Sequence, residues 1–335
     1  MNYIGSKLKL SSWIEDEVKK VVGNDLSDKT FCDMFAGTGI IGRTFKKNVK
    51  RVISNDLEHY SYILNRNYIE NHKNIKDKLK YIDELNNLPL IDNGFIYQNY
   101  CMGSGSNRQY FSDENGKKID TIRTKIKEWY DNKDIKDDLY YFLLASLLES
   151  ADKVANTASV YGAFLKHIKK PASKELVLAP AYFIKNKNSH KVYNRDSNEL
   201  IKKIKGDILY LDPPYNHRQY SANYHILNTI TKYDNFIPKG VTGLREYNRS
   251  LYCQKREVHN SFEELIKNAK FEYIFLSYNN EGLMSESDVK TIMQRYGEYS
   301  VVQKEYQRFK ADKTENRNHK ATKTYEYLHI LKKGK

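Results

Sequence analysis

Residues 208–215 read ILYLDPPY and join a strand signal to a chemical one. The apolar, β-prone residues before Asp212 predict a strand, and the two prolines stop it because proline has no backbone N–H for a strand ladder. Asp212 and the carbonyl of Pro213 can then face a pocket as two adjacent acceptors, which suits an amino group held as a nucleophile. The flat ring of Tyr215 suits a base lying over it. A strand followed by a plain proline turn is the alternative for this segment taken alone.

Residues 29–42, KTFCDMFAGTGIIG, carry the second signal, in which an apolar strand runs into a glycine turn and a helical pattern follows. Gly37 and Gly39 let a ligand approach the backbone, and the helix points its first N–H groups toward that ligand. Asp33 precedes the turn, where its carboxylate can receive an ammonium group. The next predicted strand ends in Asp56, and an acid at this position binds ribose hydroxyls in nucleoside-binding sheets.

These acids restrict what the turn can bind. A nicotinamide dinucleotide could use the same layout, but the turn lacks the GxGxxG spacing and nothing downstream resembles hydride chemistry. S-adenosylmethionine (SAM), which combines an amino acid, a ribose and an adenine, fits the acids better. The sequence therefore favours an α/β sheet that binds SAM at the carboxyl ends of its strands.

Together these segments resemble the amino-methyltransferases of nucleic acids. Residues 2–7, NYIGSK, resemble the (Y/W)xG(G/S)K segment that opens the Dam-like, D12-class DNA adenine-N6 methyltransferases, and residues 275–282, FLSYNNEG, resemble their late strand and loop. The order of the segments, with a long insertion before the tetrad at residues 212–215, is also theirs. The likeness extends over essentially the whole chain and is strongest to adenine methyltransferases of type II restriction-modification systems.

The resemblance implies a fold and a reaction. The expected fold is a Rossmann-like, SAM-dependent methyltransferase sheet of mixed strands with an inserted, mainly helical target-recognition domain. The expected reaction moves the methyl group of SAM to N6 of an adenine flipped out of double-stranded DNA. The residues assigned to catalysis are Asp212, Pro213, Pro214 and Tyr215, and those assigned to the cofactor are Tyr3, Gly5, Lys7, Asp33, Phe35, Gly37, Gly39 and Asp56.

The resemblance assigns three residues to particular groups of SAM. The resemblance brings Lys7 to the carboxylate of SAM and Asp56 to its ribose. Asp196 follows a short apolar stretch, and the resemblance assigns it to the amino group of the cofactor adenine. Asp196 could equally cap the helix predicted at 198–203, since Asp is a favoured N-cap residue.

Residues 71–187 interrupt the α/β pattern with few strand-like runs, many charges and two clear helices. We expect this insertion to recognise the target sequence, because the catalytic core does not need it for chemistry. The SAM-binding catalytic domain then comprises residues 1–70 and 188–335.

Four residues are candidate DNA contacts. The Gly/Ser-rich segment 102–110 predicts a loop, which is either a solvated connector or a DNA-contacting loop that presents Arg108 and Tyr110. Arg218 and Tyr220 follow the tetrad closely, and we expect them to hold the strand from which the base is flipped.

Composition agrees with a nucleic-acid partner. The 335 residues carry a net charge of +14 and a pI of about 9.3, although Lys, Asn and Tyr are abundant throughout, so compositional bias contributes. The three cysteines, Cys32, Cys101 and Cys253, form neither a disulfide framework nor a CxxC zinc pair, and the histidines lack metal-ligand spacing. We therefore expect no metal and a reducing cytoplasm of bacterial or phage type. No signal peptide or membrane-spanning run is predicted.

Three other functions remain open on the residues alone. The chain could methylate adenine in RNA, or it could methylate cytosine N4, although Asp212 rather than Ser or Thr before the prolines argues for adenine. From another class, it could be a DNA-binding regulator that retains an inactive methyltransferase fold, which the intact tetrad argues against. The resemblance also implies a cognate restriction endonuclease encoded separately.

Overall fold

The structure is a computed structural model that describes residues 6–307 and 323–334. Tyr3 and Gly5, which the sequence assigns to the cofactor, lie outside the described residues. The chain divides into two compact units. Of the described residues, the sheet unit contains 6–57, 186–219, 248–307 and 323–334, and the helical unit contains Glu58–Lys185 and Tyr220–Tyr247.

Seven strands form one mixed sheet in the order β3-β2-β1-β4-β5-β7-β6. The strands are β1 (Thr30–Asp33), β2 (Arg51–Asn55), β3 (Lys191–Tyr193), β4 (Lys205–Leu211), β5 (Lys270–Asn279), β6 (Gly297–Gln307) and β7 (Lys323–Lys333). The strands β3, β2, β1, β4 and β5 are parallel, whereas β7 runs antiparallel to both β5 and β6. This topology confirms the predicted α/β class with a mixed sheet.

The parallel strands read as apolar runs because both faces of the sheet are covered. Phe31 and Cys32 of β1 and Ile208 and Leu209 of β4 have no exposed surface. The helices of this unit are α1 (Ser11–Val22), α2 (Ile40–Phe45), α8 (Ser197–Ile201), α11 (Val258–Asn268) and α12 (Glu286–Gln294). On one face of the sheet the core includes side chains from α8, α11 and α12.

The helical unit confirms the prediction of a mainly helical insertion. Its helices are α3 (His59–Asn65), α4 (Lys78–Asn86), α5 (Phe95–Tyr100), α6 (Asp113–Asp131), α7 (Asp137–Val154), α9 (Tyr220–Asn223) and α10 (His225–Lys232). Helix α3 continues into a π-helical turn at Arg66–Glu70. None of the helices within the described ranges is long and apolar enough to cross a membrane.

The helical unit is larger than the predicted insertion of residues 71–187, because it also includes α3 and the segment Tyr220–Tyr247. Side-chain hydrogen bonds connect the segment Tyr220–Tyr247 both to the region of α3 and to the insertion. Asn228 of α10 accepts a hydrogen bond from the Tyr60 backbone N–H at 3.0 Å and donates one to Glu58 at 2.6 Å. Arg123 of α6 donates to the carbonyl oxygens of Ile230 and Thr231, which lie in the last turn of α10. The helix after the tetrad thus folds with the insertion, a long-range pairing with no local sequence signal.

Candidate active site

Strand order brings the two central acids of the sequence prediction to one edge of the sheet. Asp33 ends β1 and pairs in register with Tyr210 of β4, so Asp212 leaves β4 beside it. In the sheet β1 lies between β2, which follows it in the chain, and β4, which comes later. Such a reversal of strand order opens a crevice at the carboxyl ends of the strands, where ligands bind in open α/β sheets.

Lys7 holds the catalytic aspartate of the prediction. Its Nζ lies 3.1 Å from Oδ1 of Asp212 and 2.7 Å from Oε1 of Glu326, and Ser277 donates its hydroxyl hydrogen to the same Glu326 oxygen. The Lys7 and Glu326 side chains are 5% and 0% exposed, whereas Asp212 keeps 16%. The resemblance placed Lys7 at the SAM carboxylate. Here its amine binds two side-chain carboxylates, one of them in the tetrad, and its contact with SAM stays a prediction.

Burial and neighbouring charges shift the pKa values in this crevice. Burial raises the pKa of Asp212 to about 7; Lys7 opposes this shift and Glu326 adds to it. Burial alone would lower the pKa of Lys7, but Asp212 and Glu326 outweigh it and raise that pKa. Burial also raises the pKa of Asp33 to about 8, against the opposing hydrogen bond from the Gly42 N–H. Acids gathered in a buried crevice favour a cationic ligand.

The ring of Tyr215 is fixed by the late strand that the resemblance identified. Tyr215 meets Tyr278 of β5 edge to face, with ring centroids 6.0 Å apart and planes at 79°. The Tyr215 carbonyl oxygen accepts a hydrogen bond from the Leu283 N–H at 3.0 Å. Lys7 Nζ lies 5.6 Å from the centroid of the Tyr215 ring. Tyr215 is therefore held by Tyr278, Leu283 and Lys7, while Pro213 is buried and Pro214 is half-buried.

The glycine turn is tied to the predicted cofactor acids. Gly37 and Gly39 have φ values of 50° and 73°, a region that glycine adopts without strain. Asp56 accepts a hydrogen bond from the Gly37 N–H at 2.7 Å, and Asp33 accepts one from the Gly42 N–H at 3.0 Å. Both acids thus shape the turn, and their contacts with SAM stay predictions.

Phe35, the aromatic residue of this turn, is half-buried and packs edge to face on Tyr252 at a centroid distance of 5.0 Å. This contact fixes one wall of the turn. The predicted contact between Phe35 and the methionine side of SAM is not tested by it.

Asp196 caps a helix in this structure. Its Oδ1 accepts hydrogen bonds from the backbone N–H groups of Asn198 at 2.8 Å and Glu199 at 3.2 Å, at the start of α8. This is the second of the two alternatives left open by the sequence. The contact with the cofactor adenine stays a prediction.

Two asparagines that the sequence analysis did not identify bring Asp196 and Asp56 to the same end of the sheet. Asn55 of β2 accepts from the Arg195 N–H and donates to the Arg195 carbonyl oxygen, both at 3.1 Å. Asn194 donates to the carbonyl oxygens of Asp56 and Leu57 at 2.8 and 2.9 Å. Asparagine after an apolar strand is common in loops, so the sequence offered only a weak signal for this role.

Two of the predicted DNA contacts have structural roles inside the helical unit. Tyr110 is fully buried and its hydroxyl donates to the Tyr161 carbonyl oxygen at 2.9 Å, so the prediction that it touches DNA is not supported. Arg108 is half-buried and donates to the carbonyl oxygens of Asn99, Gly240 and Val241 at 3.0–3.1 Å. Its guanidinium anchors a turn, which the polar composition of the loop did not indicate.

The other two predicted DNA contacts lie on the surface or near it. Arg218 is exposed, and its backbone N–H donates to the Asn216 side chain at 2.9 Å. Tyr220 begins α9, is half-buried and stacks on Tyr224 with planes 19° apart. Their contacts with DNA stay predictions. Within the described ranges, no group of three or more His, Cys, Asp or Glu residues could hold a metal ion.

Comparison with known proteins gives an independent result. The family model of the D12 class N6 adenine-specific DNA methyltransferases matches residues 3–292. The chain is 65% identical over 333 residues to the type II methyltransferase M.NlaIII of Neisseria lactamica, covering 99% of each chain. It is 41% identical to the type II methyltransferase M.CviAII of Paramecium bursaria Chlorella virus 1, covering 93% of each chain. It is 38% identical to the type II methyltransferase M.FokI of Planomicrobium okeanokoites, of which it spans 53%.

A comparison of folds finds the crystal structure of TehB from Haemophilus influenzae, with a TM-score of 0.37 and 7% identity over 95% of this chain and 61% of the other. A likeness of this size supports no conclusion about the site.

Proposed function

Because this chain belongs to the D12 class of N6 adenine-specific DNA methyltransferases, we propose that Asp212, Pro213, Pro214 and Tyr215 perform its methyl transfer on an adenine flipped out of double-stranded DNA. Family membership favours DNA over RNA, adenine over cytosine, and an enzyme over an inactive regulator. It also implies SAM as the methyl donor. The observation that carries the proposal is the position of Asp212, which leaves β4 at the carboxyl edge of the sheet with Lys7 on one oxygen and Tyr215 beside it.

The flipped base must be held where its amino group can react. Base flipping costs a few kcal/mol, and stacking of the base on Tyr215 recovers roughly 1–3 kcal/mol of it. Oδ1 of Asp212 is occupied by Lys7, which leaves the more exposed part of the carboxylate, with Oδ2, for one N6 hydrogen. The Pro213 carbonyl oxygen accepts the other. These two bonds aim the nitrogen lone pair and offset the positive charge that develops on it.

The reaction needs no covalent nucleophile from the chain, because N6 itself attacks the methyl carbon. When bound, SAM supplies an activated methyl group on a positively charged sulfur. With SAM bound, the N6 lone pair would take the methyl group while the cofactor sulfur would keep the electron pair of the broken bond, and one N6 proton would leave along its hydrogen bond toward Asp212. A pKa near 7 suits a group that accepts this proton briefly and returns it to solvent.

The residues of the crevice fit a cofactor that carries positive charge. Asp33 is buried and its pKa is raised to about 8, chiefly by burial, so a nearby cation would restore its ionised form. We assign the ammonium group of SAM to Asp33 and the ribose hydroxyls to Asp56, with Phe35, Gly37 and Gly39 lining the methionine side. Asp196 is the candidate for the adenine amino group.

We also propose that the enzyme is the modification component of a type II restriction-modification system, with a separately encoded endonuclease that cuts the same site. Two relatives named as type II methyltransferases match it over more than nine-tenths of both chains. The helical unit is the candidate for sequence recognition, since base readout needs side chains beyond those of the catalytic sheet. The enzyme, of bacterial or phage type, would then act on DNA in the cytoplasm.

The decisive experiment uses labelled SAM with double-stranded DNA or RNA, followed by analysis of the nucleosides. We expect labelled N6-methyladenine from DNA and none from RNA. Labelled N4-methylcytosine, or label in RNA alone, would overturn the proposal. Mapping methylated positions in the DNA of an expressing host would define the motif, and methylation scattered without a motif would contradict the restriction-modification role.

A further inference from the structure

We propose that Glu326 is a positioning residue for methyl transfer, which holds Lys7 against the buried oxygen of Asp212 so that the other oxygen remains available to the adenine amino group. This inference rests on the proposed role of Asp212. Glu326 lies on β7, far along the chain from the tetrad and outside residues 3–292 matched by the family model.

Glu326 is placed by the sheet. It pairs in register with Asn279 of β5, and its side chain has no exposed surface. Its Oε1 receives both the Lys7 amine at 2.7 Å and the Ser277 hydroxyl hydrogen. Its Oε2 is buried and has no hydrogen-bond partner among the residues that the structure describes.

A carboxylate in this position is a poor choice for stability alone. Removing a charge from water is costly, and one unsatisfied oxygen adds to that cost. A hydrophobic side chain of similar size at this strand position would avoid both penalties. The acid is explained better by its effect on Lys7, the cation that it shares with Asp212.

The charges around Lys7 indicate what that effect is. The groups that face its amine are Asp212 after β4, Glu326 on β7, and the hydroxyls of Tyr210 and Tyr215. Without Lys7, burial would favour the protonated form of Asp212, which loses an acceptor for N6. Without Glu326, Lys7 would have one anchor in place of two. The two acids and one cation also leave a net negative charge near N6, where positive charge develops during transfer.

Glu326→Gln tests the proposal, because the amide keeps the shape and an acceptor oxygen but removes the charge. We expect the single-turnover rate constant to fall by about tenfold or more, with unchanged affinity for SAM and DNA. Because the Glu326 charge raises the pKa of Asp212, its removal should also move the acid limb of the pH–rate profile to lower pH. A wild-type rate and an unmoved acid limb would overturn the proposal.

A double-mutant cycle separates action through Lys7 from a general loss of structure. In a Lys7→Met background, Glu326→Gln should cause little further loss, whereas independent effects would multiply and contradict the proposal. His329→Gln is the matched control, since His329 is buried on the same strand and bonds Tyr299 at 2.8 Å. It should lower stability without moving the pH profile.

If Glu326→Gln fails to fold, the wild-type protein still provides a test. Lys7, held as a charged amine by two acids, should resist acetylation under conditions that modify the exposed Lys9. Equal labelling of the two lysines would overturn the proposal. The outcome for Asp212 is separate: an active Asp212→Ala would end the proposed role of the tetrad, whereas an inactive Asp212→Ala with a fully active Glu326→Gln would end only this inference.

Discussion

Lys7 and Asp212 form an ion pair of 3.1 Å in the crevice at the carboxyl edge of the sheet. The lysine comes from the short segment before α1, and the aspartate from the end of β4. The pair joins the first motif of the chain to the tetrad at residues 212–215. It also means that the proposed acceptor for the adenine amino group already has one oxygen paired with a cation before substrate binds.

Replacing Asp212 by Ala removes one acceptor for N6 and should lower the single-turnover rate constant by at least about 1,000-fold. SAM binding and the folded state should be retained. Asp207→Asn is the control, because Asp207 lies on the same strand and accepts a hydrogen bond from the Thr30 N–H. Substantial turnover by folded Asp212→Ala would exclude this residue as the N6 acceptor, and loss of activity in both variants would point to damage to β4.

The methylation rate should depend on pH through Asp212. Its pKa is raised to about 7, and only the ionised carboxylate offers both oxygens as acceptors. The single-turnover rate should therefore rise as pH increases from 6 to 8 and then level off. A rate that does not change across this range would show that Asp212 is fully ionised in the complex with SAM and DNA.

Asp33 should make the protein without ligand less stable as pH rises. Its folded-state pKa is raised to about 8 from 3.8, so between these pH values the folded state binds more protons than the unfolded state. The free energy of unfolding then falls with increasing pH. Asp33→Asn should remove this dependence and raise stability at pH 8 by at least about 1 kcal/mol, while weakening SAM binding. Denaturant titrations at pH 5 and 8 would measure the free energy of unfolding of both proteins. The same change in this free energy between the two pH values in wild type and Asp33→Asn would contradict the prediction.

Much of the site could be predicted from local sequence because its acids follow apolar strands directly. Asp33, Asp56 and Asp212 each stand at a strand end, and parallel strands bring their carboxyl ends to one edge. Glu326 could not be found in this way. Its contact with Lys7 depends on the position of β7 between β5 and β6 in the sheet. The pairing of β7 with β5 joins residues that are about 50 positions apart in sequence.

The predicted DNA contact at Tyr110 lacks structural support for the same physical reason. The segment around Tyr110 is polar and glycine-rich, which is typical of an exposed loop. One of the rings packed on Tyr110 belongs to His225 of α10, with centroids 5.7 Å apart, and this helix comes after the tetrad in the chain. Composition describes what a segment can do alone and carries no information on a partner more than 100 residues away.

The two roles of Asp196 can be separated by one substitution. Asp196→Asn keeps a side-chain oxygen for the start of α8, since Asn is as good an N-cap as Asp, so stability should change by less than about 0.5 kcal/mol. If the carboxylate also receives the cofactor adenine, the Kd for SAM should rise severalfold. Calorimetry that shows unchanged affinity would leave Asp196 as a cap alone.

Arg108 and Arg218 provide a matched pair for the last prediction. Arg108 donates three hydrogen bonds to carbonyl oxygens, including those of Gly240 and Val241, so Arg108→Ala should lower the free energy of unfolding by about 1–2 kcal/mol. The sequence motif that the Arg108→Ala enzyme methylates should stay unchanged, because the guanidinium is hydrogen-bonded to backbone carbonyl oxygens. Arg218 is exposed, so Arg218→Ala should leave stability unchanged.

If Arg218 contacts a phosphate, its removal should weaken DNA binding alike for all sequences and reduce the salt dependence of binding by about one ion. Thermal unfolding, DNA titrations at two salt concentrations and methylation profiling in cells would measure these effects in both variants. A relaxed motif in Arg108→Ala would restore that residue as a base contact, since the loss of one base contact changes discrimination by about 1–3 kcal/mol. Unchanged DNA affinity in Arg218→Ala would remove it from the interface.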